Sequence, residues 1–408
     1  MGFESFTLDR CITAGVQSIG YTTPTPIQEQ AIPVILQGRD VLGLAQTGTG
    51  KTAAFVLPIL QRLNQGRRGR VRALIVAPTR ELAEQIHQDI VVLGRETSVR
   101  SVTVYGGVSK GPQLAALRRG VEIVVACPGR LLDHVDAGAI DLSHVEVLVL
   151  DEADRMCDMG FLPDIRRIIR QVPEKRQTLF FSATMPRDIR VLADRILGNP
   201  ATVQIGANTP ASTVSHALYP VPEQRRKDLL LAMLRRTSTA RVLIFTRTKH
   251  RARGLATYMK KHGHRAAALQ GDMSQNQRQQ AITGFRKGKI DVLVATDIAA
   301  RGIDVSEISH VINFDMPHTV DAYTHRIGRT GRAERTGEAF TLAVRGDALM
   351  VRQIEQKLGA SVERRRLPDF DYGVGFDPER QFPRTRSTGS SRAGRSFGGR
   401  GSRRRVAR

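Results

Sequence analysis

Asp40-Val41-Leu42-Gly43-Leu44-Ala45-Gln46-Thr47-Gly48-Thr49-Gly50-Lys51-Thr52 is the stretch on which the fold turns. Asp40 to Leu44 is a short apolar run of strand character, and the residues after Thr52 follow a helical pattern. A glycine-rich turn between a strand and a helix lets backbone N–H groups point inward onto phosphates at the positive end of the helix dipole. In that frame Thr47, Gly48, Thr49 and Gly50 line the turn, Lys51 reaches the β- and γ-phosphates, and the Thr52 hydroxyl ligates Mg²⁺. The generic pattern begins with Gly, whereas Ala45 stands here, so a chance glycine-rich turn is the competing reading.

Outward from this loop, short apolar runs alternate with longer helical patterns. They are Val71 to Ala77, Val121 to Ala126, Val145 to Leu150 and Thr178 to Phe181, then Val242 to Thr246, Val292 to Ala295 and Val311 to Phe314. Such alternation predicts α/β architecture with parallel sheets. From Gly198 to Ser215 the periodicity is lost among Asn-Pro, Gly, Asn and Thr-Pro, so a linker is expected there and the sheet is expected to be built twice. After about Gly359 lysine disappears and Arg, Gly and Ser dominate, with 13 Arg against 4 acidic residues from Arg364 to Arg408. A segment so poor in apolar residues is expected to be disordered, its arginines free to contact phosphates and stack on bases. The expected organisation is therefore a first domain at 1–207, a second at 215–360, and a disordered basic tail at 361–408.

A second chemical signal closes the run Val147-Leu148-Val149-Leu150, which ends in Asp151-Glu152-Ala153-Asp154. Adjacent carboxylates at the C-terminal edge of a buried strand stand where open α/β sheets bind ligands. Asp151 is expected to hold Mg²⁺, directly or through water, and Glu152 to orient and deprotonate an attacking water. An acidic cluster serving only a helix dipole is the alternative, and the phosphate loop upstream favours catalysis.

Composition agrees with two domains and a polyanionic partner. The 408 residues exceed the roughly 250 to 300 at which single cores stop growing. A hydrophobic share of 41% with 25% charged residues is ordinary for a globular chain. The net charge of +23 is not ordinary, and nucleic acid is its leading explanation over a merely solvated cationic surface. The tail supplies +9 of it, which leaves +14 on the folded part. Cys11, Cys127 and Cys157 are scattered without metal-site or disulfide spacing. With no secretory leader, no membrane-spanning apolar run and no myristoylation signal, the chain is expected to be soluble and cytoplasmic.

Taken in order, the motifs resemble those of the DEAD-box RNA helicases over Phe3 to about Val344. In the first half stand Gly20-Tyr21 with Pro24-Thr25-Pro26-Ile27-Gln28, the phosphate loop with its Ala start, and Pro78-Thr79-Arg80-Glu81-Leu82-Ala83. Gly106-Gly107, Pro128-Gly129-Arg130, Asp-Glu-Ala-Asp at 151–154 and Ser182-Ala183-Thr184 follow. In the second half come Leu243-Ile244-Phe245, Gln275 with Arg278, Ala295-Thr296-Asp297, Arg301-Gly302-Ile303-Asp304, and His325-Arg326-Ile327-Gly328-Arg329-Thr330-Gly331-Arg332. Asp154-Arg155-Met156 and the Arg/Gly-rich tail are most similar to the bacterial RhlE-type branch.

The resemblance implies two RecA-like lobes in tandem, with ATP in the cleft between them and RNA across its opposite face. It implies that Gln28 reads the adenine edge, with Phe3, Tyr21 and Thr25 supporting the base and nearby loop; a turn residue capping a helix is the alternative for Gln28. Lys51, Asp151 and Glu152 are implied as catalytic, Arg329 and Arg332 as arginine fingers, and Gly302 and Asp304 as nucleotide contacts from the second lobe. Ser182, Thr184 and His325 are implied as coupling residues. The RNA contacts implied are Arg80, Gly107, Gly129 and Arg130 in the first lobe and Thr246, Gln275, Arg278 and Thr296 in the second. Cys127, Gln270 and Glu334 depart from the family pattern, and a thiol at 127 hydrogen-bonds only weakly. The activity implied is ATP-dependent, sequence-independent binding and local unwinding of short RNA duplexes, or remodelling of RNA–protein complexes. A nucleic-acid chaperone or clamp and a translocating DNA helicase are the rival functions, and the intact ATP-site residues weigh against the first.

Overall fold

A computed structural model describes residues 2–45, 48–205, 214–236, 241–300, 308–330, 337–377 and 381–382. Among these, two seven-stranded parallel sheets are built from successive halves of the chain. The first contains β1 Val41–Leu44, β2 Ala73–Val76, β3 Ser101–Val104, β4 Ile123–Ala126, β5 Val147–Leu150, β6 Gln177–Ser182 and β7 Ala201–Gln204. The second contains β8 Val214–Pro220, β9 Val242–Phe245, β10 Ala266–Leu269, β11 Val292–Ala295, β12 His310–Asn313, β13 Gly337–Ala343 and β14 Glu363–Arg364. Strand order is β3-β4-β2-β5-β6-β1-β7 in one and β10-β11-β9-β12-β13-β8-β14 in the other, the same arrangement shifted by seven strands.

Parallel strands joined by helical crossovers are covered on both faces, so both side-chain sets of each central strand must be apolar. Ala73 and Ile75 of β2 join Ile123, Val125, Val149 and Phe181 on one face of the first sheet. Leu74 and Val76 join Val124, Leu148, Leu150 and Phe180 on the other. The second sheet repeats this, with Leu243, Phe245, Leu293 and Val311 on one side and Val242, Ile244, Val294 and Ile312 on the other.

Two sequence expectations are corrected. The stretch from Gly198 to Ser215 is not wholly linker: Ala201–Gln204 pairs with β1, and β8 begins at Val214. The segment from 361 onward is also not unstructured from its start. Glu363–Arg364 pairs with β8, and Arg364 meets the buried Glu355. Beyond it Tyr372 stacks on Phe376, and Phe382 is 2% exposed. Enough apolar and aromatic residues stand between the arginines to bury surface there, which average composition concealed. The remainder of the expected tail, 378–380 and 383–408, lies outside the described residues.

Candidate active site and nucleic-acid face

Of the residues picked out for the nucleotide, Gly48 to Thr52 follow β1 and Asp151 and Glu152 follow β5, the coupling residues Ser182 and Thr184 stand at the end of β6, and Phe3, Tyr21, Thr25 and Gln28 precede β1. Those picked out for RNA in the first lobe follow β2, β3 and β4. The strand order places these two trios side by side, so one sheet edge is divided into two adjoining halves. In the second lobe Thr246, Gln275 and Thr296 follow the equivalent strands β9, β10 and β11, and Arg329 follows β12.

After β1, Gly48 and Gly50 take positive φ of 85° and 93°, and Gly50 caps the helix Lys51–Leu63. A Cβ at Gly50 would lie 2.6 Å from Nε2 of Gln28 and 2.7 Å from Oγ1 of Thr25, so the close approach also requires glycine. Gln28 Nε2 donates to the Gly50 carbonyl at 3.1 Å, and its Oε1 accepts from the Thr25 backbone N–H at 2.9 Å. Gln28 thus caps the helix Pro26–Leu36 and also props the phosphate loop. Phe3 stacks on Tyr21 at 6.0 Å, Phe3 buried and Tyr21 exposed beside the loop. The Lys51 ammonium is buried and donates to the Ala45 carbonyl at 2.8 Å.

After β5, Asp151 and Glu152 are both buried, and Glu152 holds a left-handed φ of 52°. Burial pushes the Asp151 carboxyl up, the Lys51 charge opposes this, and Glu152 adds to it. Asp151 Oδ1 accepts from the Glu152 backbone N–H at 2.9 Å. Glu152 Oε2 accepts from Nη1 of Arg155 at 2.6 Å, whereas its Oε1 is buried without a hydrogen-bond partner among the described residues. Lys51, Thr52, Asp151, Glu152 and Tyr21 line one cavity of about 460 Å³, and Arg329 enters it from the second lobe. That volume lies in the range of small-molecule sites. Oxygen donors from Thr52 and Asp151 with an orphaned carboxylate oxygen beside them suit a hard divalent cation that keeps most of its shell on water and phosphate.

Asp154, for which the sequence suggested no separate role, ties this site to β6. Its Oδ2 accepts from both the backbone N–H and the hydroxyl of Thr184 at 2.9 Å, and its own N–H donates to Ser182 Oγ at 3.2 Å. His325 of the second lobe faces the same group. Burial lowers its pKa, the positive charge of Arg155 lowers it further, and Asp154 opposes both. Asp154 thus stands between the Ser182–Thr184 turn, which it hydrogen-bonds, and His325, on which its charge acts.

On the RNA half, Arg80 and Arg278 meet the opposite lobe. Arg80 Nη1 donates to Gln275 Oε1 at 3.3 Å, and Arg278 pairs with Glu81 at 2.7 Å in surroundings where both side chains are largely buried. Gly107 has a φ of 77°, and a Cβ there would sit 2.1 Å from Arg80 Nη1. Arg130 donates to the Val108 carbonyl at 3.2 Å, while a Cβ at Gly129 would meet open space. Thr246 is fully buried, its hydroxyl on the Thr248 carbonyl at 3.4 Å. Cys127 precedes the helix Pro128–Asp136, and burial, aided by Glu81, pushes its thiol up to about 12. Gln270 is buried and accepts from the Asp272 N–H at 2.7 Å. Thr47, Gly302, Asp304, Arg332 and Glu334 lie outside the described residues. Glu81 and Arg155 were not singled out as site residues. Glu81 stood in a quoted motif, and only the fold brings it to Arg278.

Comparison with known proteins agrees with this geometry. Residues 25–192 match the DEAD/DEAH box helicase family, and residues 225–334 match the helicase conserved C-terminal domain. The chain is 41% identical over 373 residues to the DEAD-box ATP-dependent RNA helicase CshA of Bacillus licheniformis, covering 91% of this chain and 76% of that protein. It is 41% identical over 367 residues to the DEAD-box ATP-dependent RNA helicase RhpA of Helicobacter pylori, covering 90% and 74%. The fold superposes on S. cerevisiae Dbp5 carrying a leucine-to-valine substitution, bound to RNA and ADP BeF3, with a TM-score of 0.82 at 30% identity, over 91% of this chain and 96% of that one. Sequence, the paired sheets and these likenesses agree that the chain belongs to the DEAD-box ATP-dependent RNA helicases.

Proposed function

We propose that ATP bound at the phosphate loop and RNA bound along the adjoining half of the cleft together hold the two lobes closed, and that hydrolysis releases them. The observation carrying this reading is that Arg329 of the second lobe enters the cavity lined by Lys51, Thr52, Asp151 and Glu152 of the first. Hydrolysis needs charge neutralised on the transferring phosphoryl group, so a finger borne by the other lobe makes turnover depend on closure. Glu152 Oε1 is the acceptor for a proton of the attacking water, and Lys51 turns from the Ala45 carbonyl to the phosphates. Thr52 and Asp151 would hold Mg²⁺, which when bound neutralises phosphate charge.

On the RNA side, Arg80, Gly107, Gly129 and Arg130 with Thr246, Gln275, Arg278 and Thr296 offer donors and close backbone approach to phosphates and 2′-hydroxyls, which carry no base sequence. Closure bends one strand and strips its partner locally, which suits short duplexes and RNA–protein complexes. The arginine-rich segment after Phe382 adds affinity through phosphates. Among the described residues no helix is long and apolar enough to cross a membrane, and we place the work in the cytoplasm. Steady-state ATP hydrolysis with and without single-stranded RNA, beside Glu152→Gln and a DNA control, tests the reading. RNA-specific stimulation that the variant abolishes is the expected result. Hydrolysis indifferent to RNA would leave a binding chaperone as the better description.

A further inference from the structure

We propose that Arg155 is a positioning residue for hydrolysis, its guanidinium aiming the Glu152 carboxylate so that Oε1 faces the reacting phosphate. The inference rests on the reading of Glu152 as the base and adds the group that sets its direction. Arg155 follows Glu152 by three residues, in the short helix Ala153–Asp158, and its Nη1 donates to Oε2 at 2.6 Å. Both side chains are more than nine-tenths buried, at 6% and 4% exposure.

Stability does not account for this pair. Taking both charges out of water is costly, and such pairs are often no better than well-packed apolar residues of the same volume. Glu152 adds a second cost, because a left-handed φ of 52° strains a non-glycine residue. A buried pair on a strained backbone persists where the surroundings over-determine it, and here they fix a single carboxylate. One oxygen is committed to Arg155 and the other, buried and unpartnered among the described residues, belongs to the carboxylate lining the nucleotide cavity. Without the guanidinium the carboxylate could rotate about its last bond and present either oxygen, or neither. Arg155 also stands close to the second lobe, its charge acting on His325. The second lobe therefore closes onto a base whose direction is already set.

The test compares Arg155→Met, which keeps length and burial without a donor, with Arg155→Lys and with wild-type full-length protein. Arg155→Met should lower RNA-stimulated kcat about 10- to 100-fold, the usual cost of losing an orienting neighbour. KM for ATP and for RNA should stay within about twofold, and RNA retention with a nonhydrolysable ATP analogue should be unchanged. Arg155→Lys should recover part of the rate. Should the methionine variant melt below assay temperature, Arg155→Gln replaces it and is expected to be slow in the same way. Wild-type kcat in Arg155→Met would overturn the proposal, as would equal losses in the methionine and lysine variants with weakened nucleotide binding, the signature of a merely structural role. Glu152→Gln separates the two readings: if it still turns over, the base assignment fails first; if it is inactive while Arg155→Met is not, only the positioning role falls.

Discussion

Glu81→Gln removes the charge that meets Arg278 across the lobes while leaving every RNA-contact candidate in place. Nε and Nη2 of Arg278 approach the same carboxylate oxygen at 2.8 and 2.7 Å, with the side chains 12% and 7% exposed. At an effective dielectric of about 20, unit charges 4 Å apart are worth about 4 kcal/mol. Part of this survives the substitution, since the amide oxygen still accepts one N–H and Arg278 keeps contacts of 3.4 Å to the Gln270 and Ala299 carbonyls. The net loss is then about 2 to 3 kcal/mol, borne by the closed arrangement alone. RNA affinity measured by fluorescence anisotropy with a nonhydrolysable ATP analogue should fall roughly 30- to 150-fold. Nucleotide affinity without RNA, and the melting temperature, should not move. Arg278→Met combined with Glu81→Gln should cost little more than the worse single change, because the two act through one contact. An RNA affinity within about twofold of wild type, or strict additivity in that cycle, would refute the claim that this pair holds the lobes together.

Gly107→Ala should raise KM for RNA several-fold at nearly unchanged kcat, because its methyl group displaces the Arg80 guanidinium and its φ of 77° strains any side chain; an unchanged KM would show that Arg80 does not depend on this position. Acid should destabilise the fold. Burial lowers the pKa of His87 and His216, so below the ordinary value of about 6.5 the unfolded chain binds more protons than the native one, and stability present above that pH is lost on acidification. Melting temperatures at pH 5.5 and 7.5 check the sign, and no decrease at the lower pH would contradict it.

The core strands were legible because parallel sheets bury both faces: Val147–Leu150 and Val292–Ala295 are apolar without a break. The rule lapses at three of the strands missed, whereas β8 and the almost wholly buried β13 were missed with polar Ser215, His216, Glu338 and Thr341 mixed into their apolar runs. β3 is Ser-Val-Thr-Val at a sheet edge and is only half covered, and β7, at the other edge, alternates burial and exposure. β10 reads Ala-Ala-Ala-Leu, whose intrinsic preference is helical, and tertiary pairing with β11 overrides it. At the site, the phosphate loop and the carboxylates were legible because their chemistry demands particular residues at fixed spacing. The Asp154–Thr184 and Glu81–Arg278 pairings were not, since an ion pair or hydrogen bond between distant segments leaves no periodic trace.

The stretch after Gly359 bears on how the chain can be cut. β8 would be an open rim of the second sheet were it not for the two residues of β14, and the residues beyond them cross that rim. Leu367, Phe370, Tyr372 and Phe376 pack against the cluster on one side, and Phe382 is buried in the cluster on the other. A fragment ending at the apparent composition boundary would bare unpaired backbone groups along β8 together with the apolar surface around Tyr219 and Phe340, the combination that recruits foreign strands. For proteolysis, truncation or fusion, the second lobe therefore extends at least to Phe382, and no seam falls at Gly359.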